Sequence, residues 1–415
     1  MNIAVLGLGQ RGSGYIRILS LFCKDMKLVA VCDNYAIRTD QIAKKYKVPQ
    51  KFYDDKEFFA QGKIADALII ATQDRDHYRH CKMAMDAGYD KILVEKPVSP
   101  IMEENIELLE LSQKKNVQIV VCHVLRYSKY YKLIKQTIAD GVIGDIVTIN
   151  HTENIGYFHF AHSYVRGNWH NTKFAAPMIM AKCCHDFDLL HWFINKPCLA
   201  VSSFGNLKHF TKENMPEGAA DRCIDCKVEN CPFNAEDLYI RDSVFKATFL
   251  KYAGRIITGK SGSTKEERYN ALKESNYGKC VYKCDNNVVD HQIVNMCFAD
   301  GVTASHTVTA FSDKFYRRTQ ISGTKGEIIS NDYDGKLFIR VYKGPSKIIR
   351  TKLIKGLGHI DGDINLIKEW CLLIQGKLED DSNITYLKDT IPSHEIVLKA
   401  EESRLKGGEL IKLNS

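Results

Sequence analysis

Lys96 stands at the end of the apolar run Ile92-Leu93-Val94, with Glu95 before it and Pro97 after it. Far upstream, Gly7, Gly9 and Gly12 form a Gly-x-Gly-x-x-Gly turn directly after the apolar run Ile3–Leu6. In an open parallel sheet, ligands lie beyond the carboxyl ends of the strands, beside the point where strand order reverses. A lysine projecting there meets both a dinucleotide and its substrate, and it can polarise an alcohol or ketone oxygen. The spacing points to redox chemistry at a carbinol carbon.

The glycines permit a tight turn and close approach of the backbone to a pyrophosphate resting on a helix N-terminus, with Gln10 and Arg11 inside the turn. Asp33 closes the second apolar run about twenty residues later, where a carboxylate bonds ribose hydroxyls and repels a 2′-phosphate. NAD is expected over NADP, although Arg38 nearby leaves dual use open. Thr72 ends the third strand and, with His77, skirts the nicotinamide half of the crevice. His77 reads equally well as a surface residue at a helix start.

A second cluster, Lys182-Cys183-Cys184-His185-Asp186-Phe187-Asp188, lies on an otherwise apolar helix. His185 and Asp188 are three apart on one face, so the carboxylate can orient the imidazole. An imidazole titrating near neutrality suits proton transfer to and from a carbinol oxygen. The competing reading is a buried histidine satisfied by local hydrogen bonds. Arg126 and Tyr127, after the fifth strand, and Asn168 and Trp169, within Arg166–His170, are candidate substrate contacts; the latter loop serves equally well as a structural plug or oligomer contact. Cys223, Cys226 and Cys231 have C-x2-C-x4-C spacing. With Cys284 as fourth ligand, or Cys280 or His291 in its place, they can converge on a structural zinc; the alternative is a set of free thiols. No common ferredoxin spacing matches.

These groups need a scaffold, and the chain spells one. Strand patterns at Ile3–Leu6, Leu28–Cys32, Ala67–Ala71, Ile92–Val94 and Val117–Val121 alternate with helical spacing at Tyr15–Phe22, His77–Ala87 and Glu103–Lys114. Near-continuous apolar strands between helices indicate a parallel sheet covered on both faces. From residue 123 the texture changes. A helix at Tyr130–Ala139 and strand-like alternation at Ile146–Glu153 precede the helix Ala181–Phe193. Runs at Ser243–Phe249, Gln292–Phe298, Thr303–Ala310, Arg318–Ser322 and Lys336–Tyr342 read as antiparallel strands, and Asp363–Ile374 and His394–Leu405 as closing helices. The expectation is an α/β chain: a doubly wound Rossmann domain over 1–122, then an α+β domain over 123–415 with one large, mostly antiparallel open sheet for substrate binding and oligomerisation.

The whole sequence fits. Its 415 residues suit two domains, and 45% hydrophobic with 26% charged residues is ordinary for a globular enzyme. A net charge of +8 without a basic block argues against nucleic acid. The start, Met1–Leu6, lacks a basic n-region and a cleavage site, no apolar stretch is long enough to span a bilayer, and fourteen cysteines suit a reducing compartment. The cytoplasm is the expected location.

The glycine turn, Glu95-Lys96-Pro97 and His185-x-x-Asp188-Leu189-Leu190 together resemble the glucose-fructose oxidoreductase / inositol dehydrogenase / MocA family. His359-x-x-Gly362-Asp363 and Ala400-Glu401-Glu402-Ser403-Arg404 are also similar to members of it. The resemblance covers nearly the whole chain. It implies oxidation of a sugar, cyclitol or glycoside with hydride passing to nicotinamide C4, Lys96 polarising the oxygen, His185 as general base, and homodimers or homotetramers. One departure stands out: many members carry aspartate four residues before the histidine, where this chain has Ala181. Lys182 beside it reads either as a second cation in the site or as a lysine snorkelling to water. The departure leaves room for a redox-neutral glycosidase that oxidises the sugar transiently, eliminates the aglycone and regenerates NAD. A non-catalytic cofactor-binding regulator is the third reading.

Overall fold

The computed structural model describes residues 1–241, 247–260, 262–351 and 360–413. Strands β1 (Asn2–Leu6), β2 (Lys27–Cys32), β3 (Gln50–Phe52), β4 (Ala67–Ile70), β5 (Lys91–Val94) and β6 (Gln118–Val121) form one sheet in the order β3-β2-β1-β4-β5-β6. All its pairings are parallel. Strand order reverses between β1 and β4, and the crevice there is where a dinucleotide belongs. Alternate residues of β1 serve opposite cores: Ile3 and Val5 join one buried cluster, Ala4 and Leu6 the other. That two-sided burial is why the strand reads as a continuous apolar run.

The second sheet has nine strands: β7 (Ile146–Gly156), β8 (Cys198–Asn206), β9 (His291–Phe298), β10 (Thr303–Ser312), β11 (Tyr316–Gly323), β12 (Gly326–Asn331), β13 (Lys336–Val341), β14 (Ser346–Arg350) and β15 (Ile411–Lys412). Their order is β14-β13-β12-β11-β7-β10-β9-β8-β15, antiparallel except where β7 and β10 run parallel. Only one face is packed, so β9 alternates strictly between exposed or half-exposed and buried residues. The helix Met178–Ile194 lies on that buried face within the largest core. Among the described residues no helix is long and apolar enough to cross a membrane.

Both expected sheets are present, with corrections. The first has a sixth strand, β3, whose Gln-Lys-Phe sequence at the exposed edge carries no apolar signal. The run Ser243–Phe249 is not a strand where it is described: residues from Ala247 to Thr258 form a helix, and 243–246 lie outside the described residues. His359 of the resemblance motif also lies outside them. The closing helix Ile360–Ile374 buries Leu366, Ile367, Trp370, Cys371 and Ile374 against the first sheet. Asp363 at its start pairs with Arg11 across 352 residues of sequence.

Candidate active site

Strand β1 delivers the chain to Gly7, whose φ of +88° is a left-handed conformation suited to glycine. A Cβ there would collide with the Ala71 backbone, and one at Gly12 with the Gly7 carbonyl. Around the Gly9 Cβ position nothing lies within 4 Å. The helix Gln10–Phe22 starts there without a side-chain cap, so its first N–H groups face an open cradle that suits a pyrophosphate. Asp33 at the end of β2 accepts from the backbone N–H groups of Leu8 (2.6 Å) and Tyr35 (2.8 Å), which ties the cradle to the ribose position. Arg38 stacks over Tyr35 beside it.

Arg11 does not face the cradle. It donates to Glu95 (2.6 Å), Asp363 (2.7 Å) and Tyr15 (2.5 Å), and these partners outweigh burial to hold its pKa well above the ordinary value. Burial opposes ionisation of Glu95, but Arg11 and Lys96 prevail and keep it below the usual carboxylate range. Glu95 thereby fixes the turn leading to Lys96, whose backbone N–H it accepts at 3.1 Å. His77 is buried, its Nδ1 2.7 Å from the Pro97 carbonyl and its Nε2 3.2 Å from that of Thr72. Thr72 turns its hydroxyl toward His80 at 2.9 Å. Arg11, Glu95 and His77 thus brace the crevice from behind.

Lys96 Nζ donates to the Ala181 carbonyl at 2.7 Å. Ala181 and His185 are four apart on the helix Met178–Ile194, so this bond holds the ammonium against the turn that leads to His185. Asp74 reinforces the approach by accepting from Ala176 N–H (2.9 Å), and Arg75 by donating to Thr172 O (2.6 Å). The structure therefore ties Lys96, at the end of β5, to the helix that carries Lys182 and His185.

Several expected site residues go elsewhere. Asp188 is taken up by an arginine: its oxygens accept Arg126 Nε and Nη2 at 2.8 and 2.6 Å, in a pair buried on both sides. Arg126 is therefore committed to the protein interior rather than to a ligand. Tyr127 is fully buried in the core against the first sheet, its hydroxyl 3.0 Å from Thr385 Oγ1. Asn168 is exposed, and Trp169 leans on Tyr164 with ring centroids 6.1 Å apart. Cys284 Sγ turns to the Cys280 carbonyl, whereas Cys280 joins Cys223, Cys226 and Cys231 around one cavity.

Three residues that the sequence reading passed over complete the picture. Glu153, an inward-facing residue of β7, pairs with Lys182 (2.7 Å) and Arg317 (3.0 Å), so a carboxylate lies against the neighbour of Ala181. The alternation of buried and less buried positions from Ile149 to Ile155 of β7 was the signal that could have found it. His123 at the end of β6 sits between the rings of His185 and His394, both 5.7 Å away. Arg255 arrives from the helix Ala247–Thr258 and donates to Ser13 Oγ at 2.8 Å, beside the glycine turn. Burial lowers its pKa, and the like charge of Arg38 adds to this. Only the tertiary fold could place it there.

Burial holds His306 and His394 down to about 3, and His123 well below its ordinary value. Each is neutral in the folded chain but takes up a proton in the unfolded chain below about pH 6.5, so stability falls as pH drops from there toward 3. Each contributes a slope of up to about 1.4 kcal/mol per pH unit in that window. Urea midpoints at pH 7.5 and 5.5 are expected to differ markedly, and a flat profile would show that these imidazoles are not desolvated.

Residues 1–123 match the description "Oxidoreductase family, NAD-binding Rossmann fold", and residues 135–346 match "Oxidoreductase family, C-terminal alpha/beta domain". The chain is 24% identical over 331 residues to the putative oxidoreductase YteT of Bacillus subtilis, covering 79% of this chain and 73% of that one. It is 25% identical over 206 residues to an inositol 2-dehydrogenase of Salmonella typhimurium, over 49% of this chain but only 57% of that relative. D-glucoside 3-dehydrogenase of Escherichia coli matches at 26% over 148 residues, 35% of this chain and 41% of the other. The fold superposes on scyllo-inositol dehydrogenase of Lactobacillus casei solved with NAD(H) and scyllo-inositol, with a TM-score of 0.67, 17% identity, and 99% and 98% of the two chains covered.

Proposed function

The chain belongs to the Gfo/Idh/MocA oxidoreductase family, and we propose that it oxidises a secondary hydroxyl of a sugar, cyclitol or glycoside with NAD. The observation that carries this reading is the Lys96–Ala181 bond, which holds an ammonium against the helix turn that leads to His185. Bound in the cradle, NAD supplies the hydride acceptor. Lys96 stabilises negative charge developing on the substrate oxygen, while His185 takes the hydroxyl proton and returns it in reduction. Lys182, anchored by Glu153, offers a further donor to a polyhydroxylated ring. The names of the inositol and glucoside dehydrogenases support that substrate class.

Asp33 supports NAD over NADP, since a 2′-phosphate would meet its carboxylate. Gln10, Gly9 and the N-terminus of the first helix would hold the pyrophosphate, and Arg255 would add the counter-charge. Hydrogen bonds to charged groups are worth about 1.5–3 kcal/mol, so Arg255→Ala is expected to raise the KM for NAD about tenfold or more. Turnover at saturating NAD should change little. An unaltered KM would remove Arg255 from the cofactor site.

Incubation with NAD and a panel of cyclitols, monosaccharides and glycosides, read by NADH absorbance, tests the reading as a whole. NADH accumulation supports it. Aglycone release without NADH would instead favour transient oxidation with elimination, and no turnover on any member would favour a regulator.

A further inference from the structure

We propose that Cys223, Cys226, Cys231 and Cys280 form a structural zinc site in the insertion between β8 and β9. The four side chains line a single cavity, closed by apolar groups such as Pro216, Val228, Phe233 and Val281. Local turns set the first three: Cys226 N–H bonds to Cys223 O at 3.2 Å, and Asn234 N–H to Cys231 O at 3.1 Å. Cys280 arrives from about fifty residues away through an antiparallel bridge between Arg222 and Lys279, and its N–H bonds to Asp221 O at 2.9 Å. Contacts outside the cysteines therefore assemble the quartet.

Arg166 gives an independent reason to expect negative charge here. Its guanidinium lines the same cavity and is 2% exposed. It donates to Lys279 O (2.8 Å), Phe233 O (2.8 Å) and Cys223 Sγ (3.3 Å), while Nη1 has no acceptor. Among the described residues no carboxylate pairs with it. A buried cation without a counter-ion is costly. Four thiolates around Zn²⁺ carry a net charge of −2, which would compensate the guanidinium directly.

The insertion also needs a staple. Among the described residues its own core holds six buried apolar residues, from Ala235 to Leu272, far fewer than either sheet commands. A small core of this kind is commonly completed by a metal whose binding energy becomes folding energy. In the structure no three of these sulfurs lie within 4.8 Å of one another. The edge of a zinc–sulfur tetrahedron is roughly 3.8 Å, so binding draws the loop inward through rotation of the thiols. The tighter trio His151, Asp186 and His306 is no competitor, because Asp186 already accepts from both Arg317 and His151 at 2.6 and 2.8 Å. There the guanidinium takes the place of a cation.

Elemental analysis of protein purified without chelator is expected to give about one zinc per chain. Cys226→Ser and Cys280→Ser should lose it, whereas Cys284→Ser should keep it. Replacement of the metal by cobalt in the intact protein should give intense thiolate-to-cobalt charge-transfer absorption, a readout that does not depend on a variant folding. Wild-type protein free of zinc, or holding iron with acid-labile sulfide, would overturn the assignment. So would retention of zinc by Cys280→Ser alongside its loss from Cys284→Ser.

Discussion

His185→Ala is expected to lower kcat by a factor on the order of 10²–10⁴, the usual worth of a positioned general base. NAD binding, followed by fluorescence titration, should be unchanged, because the cradle lies on the first sheet and His185 on the helix Met178–Ile194. Raising the pH should partly restore the rate, since a substrate hydroxyl that loses its proton to solvent no longer needs the imidazole. Lys96→Ala should cost a comparable factor without that recovery, because hydroxide in solvent cannot replace a cation placed against the substrate oxygen. A His185→Ala enzyme with full turnover on a good substrate would end the proposed mechanism.

Arg126→Ala is expected to be strongly destabilising. It strips the partner from Asp188, which burial already pushes up against the pull of Arg126. Removing one member of a buried pair leaves an uncompensated charge and costs about 3–5 kcal/mol. Replacing both by leucine should recover much of the loss, because two apolar groups leave no orphaned charge. Denaturant unfolding of wild type, Arg126→Leu, Asp188→Leu and the double leucine variant provides the cycle. If Arg126→Ala were as stable as wild type and instead raised the substrate KM, the arginine would be a ligand contact after all.

The strand-and-helix scaffold was legible because burial on two faces writes itself as uninterrupted apolar runs, and burial on one face as alternation. Lys96 and His185 stood out because polar groups at a strand end or on an apolar helix are locally conspicuous. Pairing across the fold was not legible. Asp188 sits three residues from His185, yet its partner is 62 positions away, and a helical spacing rule sees only the nearer group. Cys284 and Cys280 are four apart, and only the bridge to Arg222 decides which one faces the other thiols. Glu153 and Arg255 depend on which elements lie against each other, which spacing along the chain does not encode. Strand β3 escaped because an edge strand needs no apolar residues.

The closing helix Ile360–Ile374 has a consequence for biosynthesis. It contributes Trp370 and its neighbours to the core beneath β1, and Asp363 to the bond with Arg11. While the ribosome is still making the middle of the chain, the first sheet keeps an apolar flank uncovered. Domains usually fold as they emerge, N-terminal first. Here the earliest sheet waits for nearly the last helix, so the nascent chain carries a sticky surface throughout elongation. A chain terminated before residue 360 would bear that surface permanently, which makes chaperone dependence and aggregation of truncated forms a property of the topology itself.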